Sequence, residues 1–351
     1  VLAAVWRTPN CATRLRVSAS EASGFGLASV AAQADTQNML LPKSAANPTE
    51  RQITPAEPPF LIAEFGLNHN RDLELAKRMV DAAAASGVNA VKLQSYTTRY
   101  FINRRFENVH GLYDIFAGLE LDLDFHSRLR DYTVAKGLLF FSTPLTVDWV
   151  EKLQSLDVPA FKVASGDVNN WPLLDAILGT GKPLLVSTGA ASENEVRAAV
   201  VKLAQAAKDK YVLLHCVSLY PTPEAKANIG RIARLAALLP PGAKVPLGFS
   251  DHSEGTAAAF AAVSAGAQII EKHFTLDKNL PGPDQRMSFD PSEMSTLRRQ
   301  IDLAHSIRGN RENADCFSEE TAGDYYGKRS LYDFEGQTLA MRPRHPDFPV
   351  P

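Results

Sequence analysis

The chain has 351 residues, 45% of them hydrophobic and 22% charged, with a formal net charge of -2; this length accommodates two average domains or one large α/β barrel. The near-neutral balance excludes a general nucleic-acid binder, whose phosphate contacts need a basic field. Three scattered cysteines (Cys11, Cys216 and Cys316) without a CxxC pair exclude a disulfide framework and a thiolate zinc site, and they fit a reducing compartment.

The first twenty residues hold Arg7, Arg14 and Arg16 and no acid, and an Ala/Ser/Thr-rich composition continues to about residue 48. That composition is the one of an organellar transit peptide, and the stretch from Pro48 to Pro59 reads as a linker. Residues 1–58 are therefore expected to form an unstructured leader. From Phe60 onwards eight short apolar runs alternate with stretches of helical period. The runs are FLIAEFG at 60–66, AVKLQSY at 90–96, LLFFSTP at 138–144, AFKVAS at 160–165, PLLVSTG at 183–189, YVLLHCV at 211–217, VPLGFSD at 245–251 and QIIEKHFT at 268–275. Residues 72–86, 123–136, 192–208 and 291–308 are among the expected helices; Ser192 with Glu195 three residues on has capping-box spacing. Gly87, Gly137 and Gly266 stand where helices should stop. None of the apolar runs approaches the roughly 18 to 20 residues that span a bilayer.

Strictly alternating βα units imply parallel strands and right-handed crossovers. Eight of them predict a (β/α)8 barrel over 59–310 with its site at the carboxyl ends of the strands. An open doubly wound sheet usually carries a Gly-rich phosphate loop after its first strand, and FGLNHNRD is not one.

Buried parallel strands should be almost continuously apolar, yet here polar residues gather towards one end of each. Glu64, Asn68 and His69 follow the first strand, Lys92 and Gln94 lie on the second, and Ser142 and Thr143 close the third. Lys162 and Ser165 belong to the fourth, Ser187 and Thr188 to the fifth, and His215, Ser218 and Tyr220 to the sixth. Ser250, Asp251 and His252 end the seventh, and Glu271 and His273 lie on the eighth. Residues two apart share a strand face, so Lys92 pairs with Gln94 and Glu271 with His273. A lysine inside a barrel needs an anion; Lys92 and Lys162 could pair with Glu64 or Glu271, or hold phosphate oxygens with the neighbouring hydroxyls. His252 and His273 lie on neighbouring strands and suit a divalent metal, although two histidines serve a hydrogen-bonded core equally well. So few protein ligands would favour Mn²⁺ or Mg²⁺ over structural zinc. The rigid turn LPGPD at 280–284 delivers Asp284 over the mouth.

Several of these motifs resemble the N-acetylneuraminate (sialic acid) synthase family, in particular its bacterial, spore-coat-polysaccharide branch. They are EFGLNHN at 64–70, VKLQ at 91–94, FSTP at 141–144, FKVASGDVNN at 161–170, LVSTG at 185–189, LLHCVSLYPTP at 213–223, GFSDHSEG at 248–255 and EKHFTLDKNLPGPD at 271–284. The resemblance implies a barrel that condenses phosphoenolpyruvate with N-acetylmannosamine or a related sugar and releases phosphate. It implies Mn²⁺, or another divalent cation, on His252 and His273. It further implies phosphoenolpyruvate on Lys92, Thr143, Lys162, Ser165 and Ser250 with Ser218 alongside, an acceptor sugar facing Gln94, Asp167, Tyr220 and Asp284, and Glu64 at the reacting centre. Ser218, Asp167 and Arg71 depart from the Asn, Glu and Gly common at those places.

The family also implies a cytoplasmic homodimer with small-molecule partners and no nucleic acid or membrane, and a C-terminal antifreeze-like (SAF) domain. GKRSLY at 327–332 and MRPRHPDFP at 341–349 resemble parts of that domain, so 311–351 is expected to be a linker and an incomplete version of it, with Arg342 reaching the sugar across the dimer. Two other readings stand beside this one: a related phosphoenolpyruvate-condensing synthase of the heptulosonate or octulosonate kind, and a non-catalytic barrel that binds sugar or phosphate. The SDH and EKHF pair together with LPGPD favours the sialic acid synthase.

Overall fold

The computed structural model describes residues 38–103 and 111–309, and the backbone of a strand pair at 331–334 and 337–340. Two short strands come first, β1 (Met39–Leu41) and β2 (Arg51–Ile53), paired antiparallel. The barrel follows as β3 (Phe60–Gly66), β4 (Ala90–Ser95), β5 (Leu139–Pro144), β6 (Phe161–Val163), β7 (Leu184–Ser187), β8 (Tyr211–Cys216), β9 (Leu247–Asp251) and β10 (Ile269–His273). These eight close in chain order, β10 pairing with both β9 and β3, and every pairing is parallel. The expected (β/α)8 barrel is therefore the observed one, with every strand end within two residues of its apolar run.

The helices form where cap and stripe coincide. In α1 (Leu73–Ala85) the Asp72 side chain accepts from the backbone N–H groups of Glu74 and Leu75, while Leu75, Ala76, Met79, Val80 and Ala83 form the buried face. Between β4 and β5 the chain adds two helices that the sequence reading did not contain, α2 (Thr98–Phe101) and α3 (Leu112–Leu119), before α4 (Leu123–Ala135). One helix follows each later strand: α5 (Asp148–Ser155), α6 (Trp171–Gly179), α7 (Glu193–Ala206), α8 (Arg231–Ala236), α9 (Ala257–Ser264) and α10 (Pro291–Arg308). The Ser192–Glu195 capping box opens α7 as expected, and Asp290 with Glu293 forms a second one at α10. Close packing has a local requirement at Gly248 in β9: a Cβ there would stand 2.8 Å from the Ile269 carbonyl oxygen of β10.

The expectation of an unstructured leader through residue 58 is corrected by β1 and β2. Met39, Leu41, Ala46 and Ile53 are buried in the common core. The buried Asn47 side chain donates to the Leu41 and Pro42 carbonyls at 3.1 and 2.8 Å, holding the connection between the strands. Phe140 N–H donates to the Ala46 carbonyl, Ala45 N–H to Asp157, and Asn38 N–H to the Lys244 carbonyl. All three contacts lie at the amino-terminal end of the barrel, so the hairpin lies against the end opposite the mouth. Three-residue strands are too short to leave a legible alternation, which is why composition dominated the reading. The transit-like stretch 1–37 and residues 311–330 lie outside the described residues.

Behind the barrel wall, His126 of α4 bridges to the strands. Its Nδ1 donates to the Asp122 carbonyl at 2.8 Å, and its Nε2 lies 2.7 Å from Ser95 Oγ, which in turn lies 2.6 Å from Ser142 Oγ. A carbonyl only accepts, so Nδ1 carries the proton and Nε2 takes the hydroxyl proton; the ring is neutral. Burial pushes the His126 pKa down to about 4, and it pushes the buried His69 down to about 3. In the unfolded chain both revert to about 6.5. Unfolded molecules therefore bind more protons at mildly acidic pH, and stability present above 6.5 is lost as pH falls towards the folded values. At 1.36 kcal/mol per unit, His126 alone should cost about 2 kcal/mol at pH 5 relative to pH 7. Urea midpoints at the two pH values test this: His126→Asn should remove its share of the difference and leave that of His69, and an unchanged pH dependence contradicts the assignment.

Candidate active site

The carboxyl ends of the strands turn an ion network into the barrel lumen. Lys92 on β4 makes a short ion pair with Glu64 on β3, approaches Glu271 on β10 at 3.7 Å, and donates to Thr143 Oγ1 on β5 at 2.8 Å. Ser250 on β9 donates to Glu271 at 2.9 Å. Glu64, Lys92, Thr143, Ser250 and Glu271 are all buried. Across the lumen, Lys162 on β6 donates to Ser187 Oγ at 2.7 Å and to the Val163 carbonyl at 2.9 Å. Among the described residues this buried ammonium has hydroxyl and carbonyl partners but no ion pair.

Electrostatics make the two carboxylates unequal. Burial raises Glu64 to about 7, against the opposing pull of Lys92 and with the help of Glu271. Glu271 is also penalised by burial, but the attraction of Lys162 and Lys92 outweighs that and holds it below its ordinary range. Burial works against the charge on Lys92 as well, and Glu271 and Glu64 overcome it. For Lys162 burial prevails and lowers the pKa. Near neutral pH, then, Glu64 is partly protonated while Glu271 is ionised, and the two ammonium groups are left in excess. Such a lumen attracts an anion and already holds hydroxyl donors beside each cation.

Above this layer stand His252, His273, Tyr220 and Asp284. The histidine ring centroids are 5.6 Å apart; the Tyr220 ring lies 4.1 Å from His252 and meets His273 edge-on at 6.1 Å. His252 Nδ1 donates to the Val217 carbonyl at 2.9 Å; burial works against charge on this ring, but Cys216 and the carbonyl outweigh it and raise its pKa. Burial, then the proximity of His252 and Lys92, holds His273 well below its usual pKa, so its imidazole is neutral; its buried Nδ1 has no hydrogen-bond partner among the described residues. The neutral His273 with its unpartnered Nδ1, and His252 through Nε2 once that nitrogen gives up its proton, fit a divalent cation. No group of three or more His, Cys, Asp or Glu side chains arranged for a metal occurs among the described residues. A cation held there takes the rest of its shell from water or substrate oxygens.

Gly66, at the register shift between β3 and β4, makes room for the convergence. Its φ is +50°, and a Cβ would sit 3.3 Å from Asp284 Oδ2, 3.3 Å from His273 Cε1 and 3.4 Å from Glu64 Oε1. The loop bearing Asp284 is fastened to the first loop by buried hydrogen bonds. Asn68 Nδ2 donates to the Phe274 carbonyl and to Ser288 Oγ, and Gln285 Nε2 donates to the Asn68 carbonyl. Burial raises the pKa of the Asp284 carboxyl.

The remaining sequence-predicted residues stand at the rim. Gln94 is half-buried opposite Thr143, Ser165 accepts from Gly189 N–H at 3.1 Å, and Asp167 accepts from Asn170 at 2.9 Å, with burial raising its pKa. Ser218 and Tyr220 are exposed on the loop after β8. Arg342 lies outside the described residues. Glu271 and Ser187, named in the sequence among the strand-end polar residues but given no site role, join the network, and Gly66 was not named at all. The first two were visible by their position at strand ends. Gly66 could not have been found that way, because a glycine's role here is the volume it leaves empty.

These features define an anion-binding (β/α)8 barrel whose mouth combines two lysines with two histidines. The chain belongs to the NeuB family, which its residues 79–313 match, and it is a phosphoenolpyruvate-dependent condensing enzyme. It is 37% identical over 267 residues to the N,N'-diacetyllegionaminic acid synthase of Legionella pneumophila, covering 72% of this chain and 74% of that one. It is 32% identical over 266 residues to the pseudaminic acid synthase of Helicobacter pylori, covering 73% of this chain and 77% of that one. Among solved structures, the sialic acid synthetase of Leptospira borgpetersenii superposes with a TM-score of 0.70 at 34% identity, over 78% of this chain and 92% of that one.

Gly66→Ala tests the crowding. The left-handed backbone should cost about 1–2 kcal/mol, and the new methyl should displace Asp284 or His273. The thermal midpoint should fall together with turnover; an unchanged midpoint contradicts the packing described.

Proposed function

We propose that the lumen joins phosphoenolpyruvate to the open-chain aldehyde of N-acetylmannosamine or a related N-acylated hexosamine, giving a sialic (nonulosonic) acid and phosphate. The observation that carries this reading is Lys162, a buried ammonium without an ion pair among the described residues, facing the Lys92 network across a lumen of hydroxyls. A small dianion would balance that charge, and burying a lysine without a counter-charge is costly.

Lys92 with Thr143, and Lys162 with Ser187, Ser165 and Ser250, would bind the phosphate and carboxylate oxygens. They would neutralise charges that otherwise repel Glu271. The enol carbon attacks the acceptor's carbonyl carbon and leaves cationic character at the neighbouring carbon, where water adds and phosphate departs. Glu64, with a pKa near 7, is suited to accept the proton of that water or to face the cation. Tyr220, Gln94, Asp167 and Asp284 would orient the sugar, with Ser218 beside the phosphoenolpyruvate. His252 and His273 would hold Mn²⁺, or Mg²⁺, which supplies Lewis acidity towards the carbonyl oxygen. The same reading makes the enzyme a cytoplasmic homodimer, with Arg342 of the antifreeze-like segment serving the partner's sugar site; no described helix is long and apolar enough to cross a membrane.

Phosphate release from phosphoenolpyruvate, compared across N-acetylmannosamine, its 6-phosphate, mannose and bacterial diacetamido hexoses, tests the reaction. Release should require an N-acylated acceptor, stop with chelator and return with manganese. Full activity in metal-free protein removes the metal from the reading, and no release with any acceptor supports the non-catalytic alternative. Lys92→Met should lower kcat/KM by about 10² to 10³-fold, the range for losing one preorganised donor.

A further inference from the structure

Directly behind the two histidines, on the opposite face of the strands, lies a second ion pair that the proposed reaction does not use. Lys272 on β10 and Asp251 on β9 are register partners. Their neighbours Glu271 and Ser250 turn into the lumen, so alternation turns this pair outwards, beneath the helices. Lys272 Nζ lies 2.9 Å from Asp251 Oδ2, with the side chains 1% and 0% exposed. Such a pair is a poor source of stability: desolvating both charges cancels much of their attraction, and apolar residues of similar volume often serve as well. Its connections account for it better. Asp251 Oδ1 accepts from Ser253 N–H at 2.8 Å and from Ser253 Oγ at 2.6 Å, so one carboxylate grips the backbone on both sides of His252. The Lys272 ammonium also donates to the Ser253 carbonyl through a short hydrogen bond. On its other side it lies 4.2 Å from the Phe289 ring, and Phe289 N–H donates to the His273 carbonyl at 2.8 Å. The backbone of each histidine is thus tied to one buried charge pair.

We infer that the Asp251–Lys272 ion pair is a positioning strut that fixes the separation and aim of the His252 and His273 imidazoles, and thereby sets the divalent-cation affinity of the site. The inference rests on the metal reading proposed above. Lys272 and Asp251 touch neither substrate nor metal; they act through the backbone of the residues beside them. Removing either partner leaves the other charge buried and frees the His252–Ser253 peptide to move relative to β10.

Mn²⁺ titration of the full chain, read from the magnetic resonance signal of free Mn²⁺, tests the strut independently of turnover. Phosphoenolpyruvate binding and the thermal midpoint are measured on the same samples. Lys272→Met should weaken Mn²⁺ binding by about 10 to 100-fold, the usual effect of losing a partner behind a metal ligand. Phosphoenolpyruvate binding through Lys92 and Lys162 should be unchanged, and Lys272→Arg should restore most of the Mn²⁺ affinity. If Lys272→Met does not fold, the near-isosteric Asp251→Asn decides by the same titration. Folded Lys272→Met or Asp251→Asn with wild-type Mn²⁺ affinity overturns the strut while leaving the metal reading intact. Failure of both variants to fold makes the pair a stability element and also overturns it. A wild-type protein that binds no Mn²⁺ overturns the metal reading, and the strut with it.

Discussion

Two lysines inside a closed barrel set the terms for everything at its mouth. An ammonium in that lumen has lost most of its hydration, and the loss must be compensated by attraction that only fixed neighbours can provide. Lys92 obtains it from Glu64, Glu271 and Thr143, which come from β3, β10 and β5. Lys162 obtains hydroxyl and carbonyl contacts but no ion pair among the described residues. On the proposed reading this imbalance is what a substrate dianion would balance. It also differentiates Glu64 from Glu271, two carboxylates on neighbouring strands that burial and the lysines drive in opposite directions.

A network this polar depends on the layer around it staying rigid. Gly248 allows β9 and β10 to approach without a side chain between them, and Gly66 leaves the volume into which Glu64, His273 and Asp284 converge. Outside the wall, Asp251 and Lys272 join β9, which His252 directly follows, to β10, which carries His273. At the far end, the β1–β2 hairpin lies over the amino-terminal ends of the strands with Met39, Leu41 and Ile53 buried. The mouth is left as the polar end, in keeping with the division of labour between the two ends of such barrels.

The barrel was legible in the sequence because each of its strands is buried on both faces. FLIAEFG, for example, is buried throughout and had to be nearly continuous in apolar residues. The capping residues Asp72, Ser192 and Asp290 were legible because capping is local chemistry. The α2–α3 insertion was not taken up: Leu112, Ile115, Phe116 and Leu119 stand at helical spacing, but the segment is short, is an addition to the βα alternation, and buries none of its residues. The hairpin was hidden for the opposite reason, its few apolar residues being embedded in a Pro-, Ser- and Ala-rich stretch that resembles a leader. Glu271 was visible as a strand-end carboxylate, yet its place between Lys92, Ser250 and Lys162 depends on strands far away in the sequence.

The sequence by itself determined the eightfold alternation, the end of each strand at which polar residues gather, and the motif resemblance that points to the NeuB family. Those properties follow from periodicity and residue identity, which the linear chain carries whole. Only the tertiary structure decided which lysine has an ion pair among the described residues, and which carboxyl burial raises while the lysines hold the other down. It also decided that Asp251 and Lys272 meet behind the histidines rather than beside them. Pairing and protonation depend on distance and burial, and both arise only when β10 closes against β3 and brings together residues more than two hundred positions apart.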